Sequence, residues 1–164
     1  MSEVLIEALK KGIKGEMDSI TLYQEAANRS QHADVKEFFL EMAEEEKNHY
    51  NWLVSYYKKL HDGLSPASLK NIAQMTERSP IITDEIVKRI AESQYVTTAL
   101  ASAVLLEATA LRFYADSAEK TIYPELQSFF SMLSEWERKH YNNLIAMQEQ
   151  TERFWFDLQR FEPF

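Results

Sequence analysis

Apolar residues recur along this chain at helical spacing. The first stripe reads Leu5, Leu9, Ile13, Ile20, Tyr23 and Ala27. Its steps of three, four and seven mark one buried face of a helix. A polar stretch, Asn28 to Asp34, ends it, and Asp34 with Glu37 predicts a capping box that opens a second helix. The second stripe is Phe38, Phe39, Met42, Leu53, Tyr56 and Leu60, and Gly63 beyond it predicts a C-terminal cap. Residues 64 to 95 differ: Ser65-Pro66 and Ser79-Pro80 punctuate them, with short helical patterns at about 67–77 and 84–92. A helix of about 26 residues is roughly 39 Å long, so this stretch reads as a crossover running back along the second helix. The third stripe is Leu100, Val104, Leu111, Tyr114 and Ala118. Pro124 suits the first turn of a fourth helix, with Leu126, Phe129, Phe130, Leu133, Leu144 and Met147 inward. The aromatic tail from Phe154-Trp155-Phe156 to Phe164 predicts either a fifth helical segment over the core or a subunit interface.

Composition agrees. The 164 residues suit one domain, and 45 % hydrophobic content supplies a full core. Three Gly and four Pro argue against all-β and loop-rich folds. The absence of Cys excludes disulfides, a zinc ribbon, Cys-ligated iron–sulfur sites and a thiol nucleophile. A net charge of −8 argues against a nucleic-acid partner. No apolar run is read as reaching the roughly 18 to 20 residues that span a bilayer. Met1 to Glu16 is amphipathic and charged, unlike a signal peptide. The expectation is a soluble, cytoplasmic, all-α protein without membrane or nucleic-acid contacts.

The chain also repeats itself. An offset of 91 positions lays Glu16 on Glu107, Tyr23 on Tyr114 and Phe38-Phe39 on Phe129-Phe130. The same offset lays Glu46, His49, Tyr50, Asn51 and Leu53 on Glu137, His140, Tyr141, Asn142 and Leu144. A helical hairpin is therefore used twice, at about 3–60 and 95–151, which predicts a four-helix bundle with approximate two-fold symmetry.

The repeated positions include charges on the core stripe. Glu16 lies three residues after Ile13 and four before Ile20, and Glu107 sits likewise between Val104 and Leu111. Glu46 follows Met42 by four and His49 precedes Leu53 by four; Glu137 and His140 stand the same way to Leu133 and Leu144. Four unpaired buried carboxylates, each costing several kcal/mol, would exceed a domain's stability of about 5 to 15 kcal/mol. No Lys or Arg lies beside them on these stripes. Two divalent cations would balance the charge. Glu and His at i, i+3 share a helix face and reach one metal, and such oxygen–nitrogen donor sets suit iron or manganese. In the run Glu44-Glu45-Glu46 the repeat selects Glu46, because Glu45 aligns with Trp136. Glu44, Glu45 and Glu135 are read as surface or rim charges, and His32 and His61 as exposed.

At these residues the sequence resembles the rubrerythrin-type members of the ferritin-like superfamily. The resemblance rests on Gly15-Glu16 through Tyr23, Glu44 through His49, Glu107 through Tyr114, and Glu135 through His140. Ferritin-like di-iron proteins take one Glu from each of two helices and a Glu-x-x-His from each of the others. The resemblance implies a ferritin-like bundle with a long crossover between helices 2 and 3. It implies a carboxylate-bridged centre of two iron ions, with manganese as an alternative metal, that reacts with peroxide or dioxygen. It assigns Glu16, Glu46, His49, Glu107, Glu137 and His140 as metal ligands, with Glu46 and Glu137 bridging. Tyr23 and Tyr114 match the family's aromatic position near the metals, where they would act as hydrogen-bonding or redox-active groups; the other reading of them is core tyrosines with satisfied hydroxyls. Two features depart from the family pattern. Without a four-Cys rubredoxin domain, electrons need an external donor such as a rubredoxin-like protein. Ala110 stands where rubrerythrins carry an extra Glu tied to their peroxidase cycle. Lys47 stands where bacterioferritins have their haem-ligating Met, so haem is not expected. A homodimer is a family-level expectation.

The expected function is thus a di-iron oxidoreductase, a peroxidase or oxidase. The alternative is a ferritin-like iron-binding or storage protein, which needs a hollow shell. A substrate hydroxylase and a metal-free bundle with buried polar networks are further readings.

Overall fold

Five α-helices and no strand make up the described residues, 3–66 and 80–159, of a computed structural model. They are α1 (Glu3–Arg29), α2 (Ala33–His61), α3 (Asp84–Ala91), α4 (Gln94–Lys120) and α5 (Pro124–Gln159). The long helices are α1, α2, α4 and α5. The first hairpin, α1 with α2, packs on the second, α4 with α5, through α1 and α4. The all-α ferritin-like bundle read from the sequence is what forms.

The punctuation of the chain mostly acts as its residue types require. Gly63 adopts a φ of +88°, and the amides of Gly63 and Leu64 donate to the Leu60 and Lys59 carbonyls, which closes α2. The capping box does not form. The residue before α2 is His32, with no side-chain cap, and Asp34 lies inside the helix. Its carboxylate accepts from its neighbour's amide, that of Val35, and pairs with Arg89 at 2.5 Å. That ion pair ties α3 to the start of α2. The pattern at 84–92 is α3, capped by Thr83, whose hydroxyl accepts from the Ile86 amide. Ile86, Val87, Ile90 and Ala91 are buried there. The pattern expected at 67–77 lies outside the described residues.

Pro124 opens α5 as expected, and the described part of the tail, to Gln159, continues α5 rather than forming a separate segment, while 160–164 lie outside the described residues. Nothing between Pro124 and Gln159 interrupts the helix, because that stretch contains no Gly and no further Pro. Phe154 packs on the core, while Phe156 is 52 % exposed.

The apolar residues form two clusters. One contains Tyr23, Phe38, Phe39, Ile90, Leu100 and Leu144; the other contains Leu9, Leu53, Tyr114, Leu126, Phe130 and Leu133. Each draws on opposite halves of the four long helices. The positions between them hold the inward-facing charges.

The expectation that nothing reaches membrane-spanning length needs correction. Helix α4 has the length, and an 18-residue window of mean hydropathy 1.4. It packs as a bundle helix, with Glu107 wholly buried among its neighbours.

Candidate metal centre

Each long helix delivers its chemistry at mid-length, where helical spacing points it inward. Glu16 comes from α1, Glu46 and His49 from α2, Glu107 from α4, and Glu137 and His140 from α5. None of the six is more than 1 % exposed. They form two groups whose nearest oxygens and nitrogens lie within 4.8 Å of one another: Glu16, Glu46, His49 and Glu137, and Glu46, Glu107, Glu137 and His140. Glu46 and Glu137 belong to both. Their oxygens divide between the imidazoles. Glu46 Oε1 is 3.0 Å from His140 Nδ1 and its Oε2 is 3.5 Å from His49 Nδ1. Glu137 Oε1 is 2.9 Å from His49 Nδ1 and its Oε2 is 3.7 Å from His140 Nδ1. Glu16 approaches only His49, at 3.9 Å, and Glu107 only His140, at 3.8 Å.

These are close approaches without hydrogen bonds. Both oxygens of Glu46, both of Glu137, Glu107 Oε2 and His49 Nδ1 are buried and make none. Polar atoms orphaned in a protein interior are costly and rare. Here they sit together and face common space, as ligand atoms around a cation do.

The remaining carboxylate oxygens are held from across the bundle. The Tyr23 hydroxyl donates to Glu107 Oε1, and the Tyr114 hydroxyl donates to Glu16 Oε1. Each tyrosine serves the other hairpin. Burial, and then the neighbouring carboxylates, push both phenols well above their ordinary range, so they stay protonated donors.

Without metal the cluster is balanced by protons. Burial, and then the Glu137 and Glu46 charges, push Glu16 well above the ordinary carboxylate range. Burial, followed by Glu46 and Glu137, does the same to Glu107. Burial also opposes ionisation of Glu46, yet the imidazoles of His140 and His49 hold it well below that range. At Glu137 burial and the Glu46 charge act against ionisation, and His49 and His140 still keep it low. Burial disfavours a charged His49, but Glu137 and Glu46 lift it to about 10. The shared carboxylates are thus ionised beside an imidazolium, and the outer two retain protons.

The family model for rubrerythrins matches residues 7–148. The chain belongs to the rubrerythrin family. It is 26 % identical over 149 residues to a rubrerythrin of Clostridium perfringens (strain 13 / Type A), covering 89 % of this chain and 70 % of that one. No solved structure matches it. Membership in the rubrerythrin family carries an implication of iron, and the two donor groups are able to hold metal ions.

The other expectations divide. Glu44 and Glu135 are exposed and Glu45 is half-buried. His61 is exposed, but His32 is half-buried, 3.2 Å from Glu92. Two features do not follow from the apolar stripes. Gly12 is buried where α1 meets its neighbours, and a Cβ there would lie 3.2 Å from the Tyr114 hydroxyl and from Leu53. Trp136 stacks on His49, ring centroids 5.3 Å apart and planes within 8°. The available signal was the break in the repeat at Glu45 and Trp136.

Proposed function

We propose that the chain is a di-metal oxidoreductase, using iron, that reduces peroxide or dioxygen with electrons from an external donor. The observation that carries this is the sharing of Glu46 and Glu137 between two donor groups. Each would hold two ions at once, while Glu16 with His49 and Glu107 with His140 would complete one ion each. Four carboxylates offset the charge of two divalent ions, and the two imidazoles add neutral donors. When bound, a pair of ferrous ions supplies two electrons for cleaving an O–O bond.

The chain's own residues do the rest. Tyr23 and Tyr114 orient Glu107 and Glu16 by donating to one oxygen and leaving the other to face the centre. The apolar clusters on both sides keep bulk water away and strengthen every charge interaction within. Glu16 and Glu107, which hold protons in the metal-free protein, release them as metal binds. The whole chain, 1–164, works as one such domain.

The test is metal content per chain after anaerobic ferrous reconstitution, followed by stopped-flow mixing with peroxide. About two ions per chain, and oxidation much faster than that of free ferrous ion, are expected. No uptake, or oxidation at the free-ion rate, would sink the proposal. Hundreds of ions per assembly would indicate storage instead.

A further inference from the structure

Beside His49 the internal repeat fails. Trp136 occupies the position of Glu45, and Trp52 that of Asn143, so the pair of indoles accompanies His49 and has no counterpart beside His140. The three rings are in mutual contact. Trp136 lies nearly parallel to His49 with centroids 5.3 Å apart, Trp52 is 5.7 Å from His49, and the two indoles are 4.8 Å from each other. His49 is 1 % exposed, whereas each indole is 8 % exposed. The indoles therefore run from a sealed imidazole to the surface. Tyr23 and Tyr114 also touch the centre, but at 0 % and 1 % exposure they offer no way out.

We propose that Trp136 and Trp52 relay electrons between the His49 side of the metal centre and the protein surface. The inference rests on the peroxide-reducing function proposed above. Reducing one peroxide to two waters takes two electrons and two protons. With an external one-electron donor present, the electrons enter by way of Trp52 and Trp136. With none, the two indoles are the oxidisable rings in contact with His49. Each then gives up one electron and its ring N–H proton to a first peroxide, which leaves as two waters. A second peroxide takes one further electron from each ring as water adds and a proton leaves, so that each indole ends as a hydroxytryptophan.

Trp155 is an internal control. It lies about 22 Å along α5 from His140, at 1.5 Å per residue, and it is more exposed than either indole of the pair. Oxidation governed by exposure alone would strike it first. The experiment treats the iron-loaded full chain with successive equivalents of peroxide and no reductant, then maps oxidised residues by peptide mass spectrometry. The expected result is loss of unmodified Trp136 and Trp52 ahead of Trp155, protection by added ascorbate, and no such preference in metal-free protein. Oxidation led by Trp155, or the same pattern without metal, overturns the relay. So does oxidation of Tyr23 and Tyr114 beside intact indoles. The double variant Trp52→Phe/Trp136→Phe keeps aromatic rings against His49 and is expected to retain metal while the oxidation moves to Tyr23 and Tyr114. An unmoved pattern assigns the indoles to packing and overturns the proposal. Metal uptake and peroxide consumption with both indoles intact overturn the relay alone. Absence of either overturns the peroxide function and the relay with it.

Discussion

Tyr114 donates a hydrogen bond to Glu16, a residue 98 positions earlier in the other hairpin. Tyr23 does the same for Glu107, across 84 positions. The two bonds cross-link the duplicated hairpins at the carboxylates that lie outside the shared pair. Removing one leaves a buried carboxyl oxygen without its donor. Tyr114→Phe is therefore expected to weaken metal binding about 10- to 100-fold with helicity retained. Competition titration against a ferrous chelator, beside far-ultraviolet circular dichroism, measures both. Unchanged affinity would mean that Tyr114 only fills space.

The shared and unshared carboxylates should differ in kind. Glu46→Gln or Glu137→Gln removes a donor from both groups, and binding should fall from about two ions per chain to well under one. Glu16→Gln or Glu107→Gln touches one group and should leave about one ion. Plasma mass spectrometry of reconstituted variants reads the difference. Equal losses from all four variants would contradict the sharing.

Burial and the neighbouring carboxylates disfavour ionisation of Glu16 and Glu107. Their carboxyls are pushed above the ordinary range, so ionising them costs stability in the metal-free protein. Glu16→Gln should raise the metal-free Tm by about 2–4 °C per kcal/mol recovered while impairing metal uptake. A calorimetric scan showing a lower Tm would contradict this.

Stability should depend on pH, and the gain from metal should depend on it in the opposite sense. Glu16, Glu107 and His49 have folded-state pKa values above their unfolded ones, His49 at about 10. Their contribution is complete below the unfolded values, about 4.3 for Glu and 6.5 for His, and is lost as pH rises through the folded ones. Glu46 and Glu137 are held low, so theirs is lost only as pH falls below the carboxylate range. Metal-free protein should therefore melt higher at about pH 5.5 than at about pH 8. Metal binding releases protons, so the rise in Tm on adding ferrous ion should be larger at about pH 8. Parallel melting curves at both values test the pair.

Two glycines of α1 should respond oppositely to alanine. Gly15 has open space at its Cβ position, so Gly15→Ala should stabilise by about 1 kcal/mol through helix propensity. At Gly12 the added methyl would press on Leu53 and the Tyr114 hydroxyl at 3.2 Å, with both neighbours buried. Overpacking of about 1–3 kcal/mol offsets or exceeds the propensity gain, and the hydroxyl is displaced from Glu16. Gly12→Ala should thus gain no stability and bind metal more weakly. Denaturant melts and the chelator titration decide it.

Much of this was legible in the residues. Spacing of three and four determined the long helices, the inward faces and the six polar groups on them, because a side chain's direction within one helix follows from its position. The repeat separated Glu46 from Glu45, and Pro124 and Gly63 marked ends because their backbone preferences are local. What periodicity could not supply were relations between helices, which depend on rotation and axial register in the packed bundle. The spacing of Asp34 and Glu37 is that of a capping box, and no local pattern contains Arg89, the partner of Asp34 55 positions away. The crossed tyrosine bonds, the indoles stacked on His49 and the close approach at Gly12 arose in the same way. The sequence alone determined which groups each helix buries. Only the tertiary structure decided which of them meet, because contacts between helices are set by packing geometry that no single helix encodes.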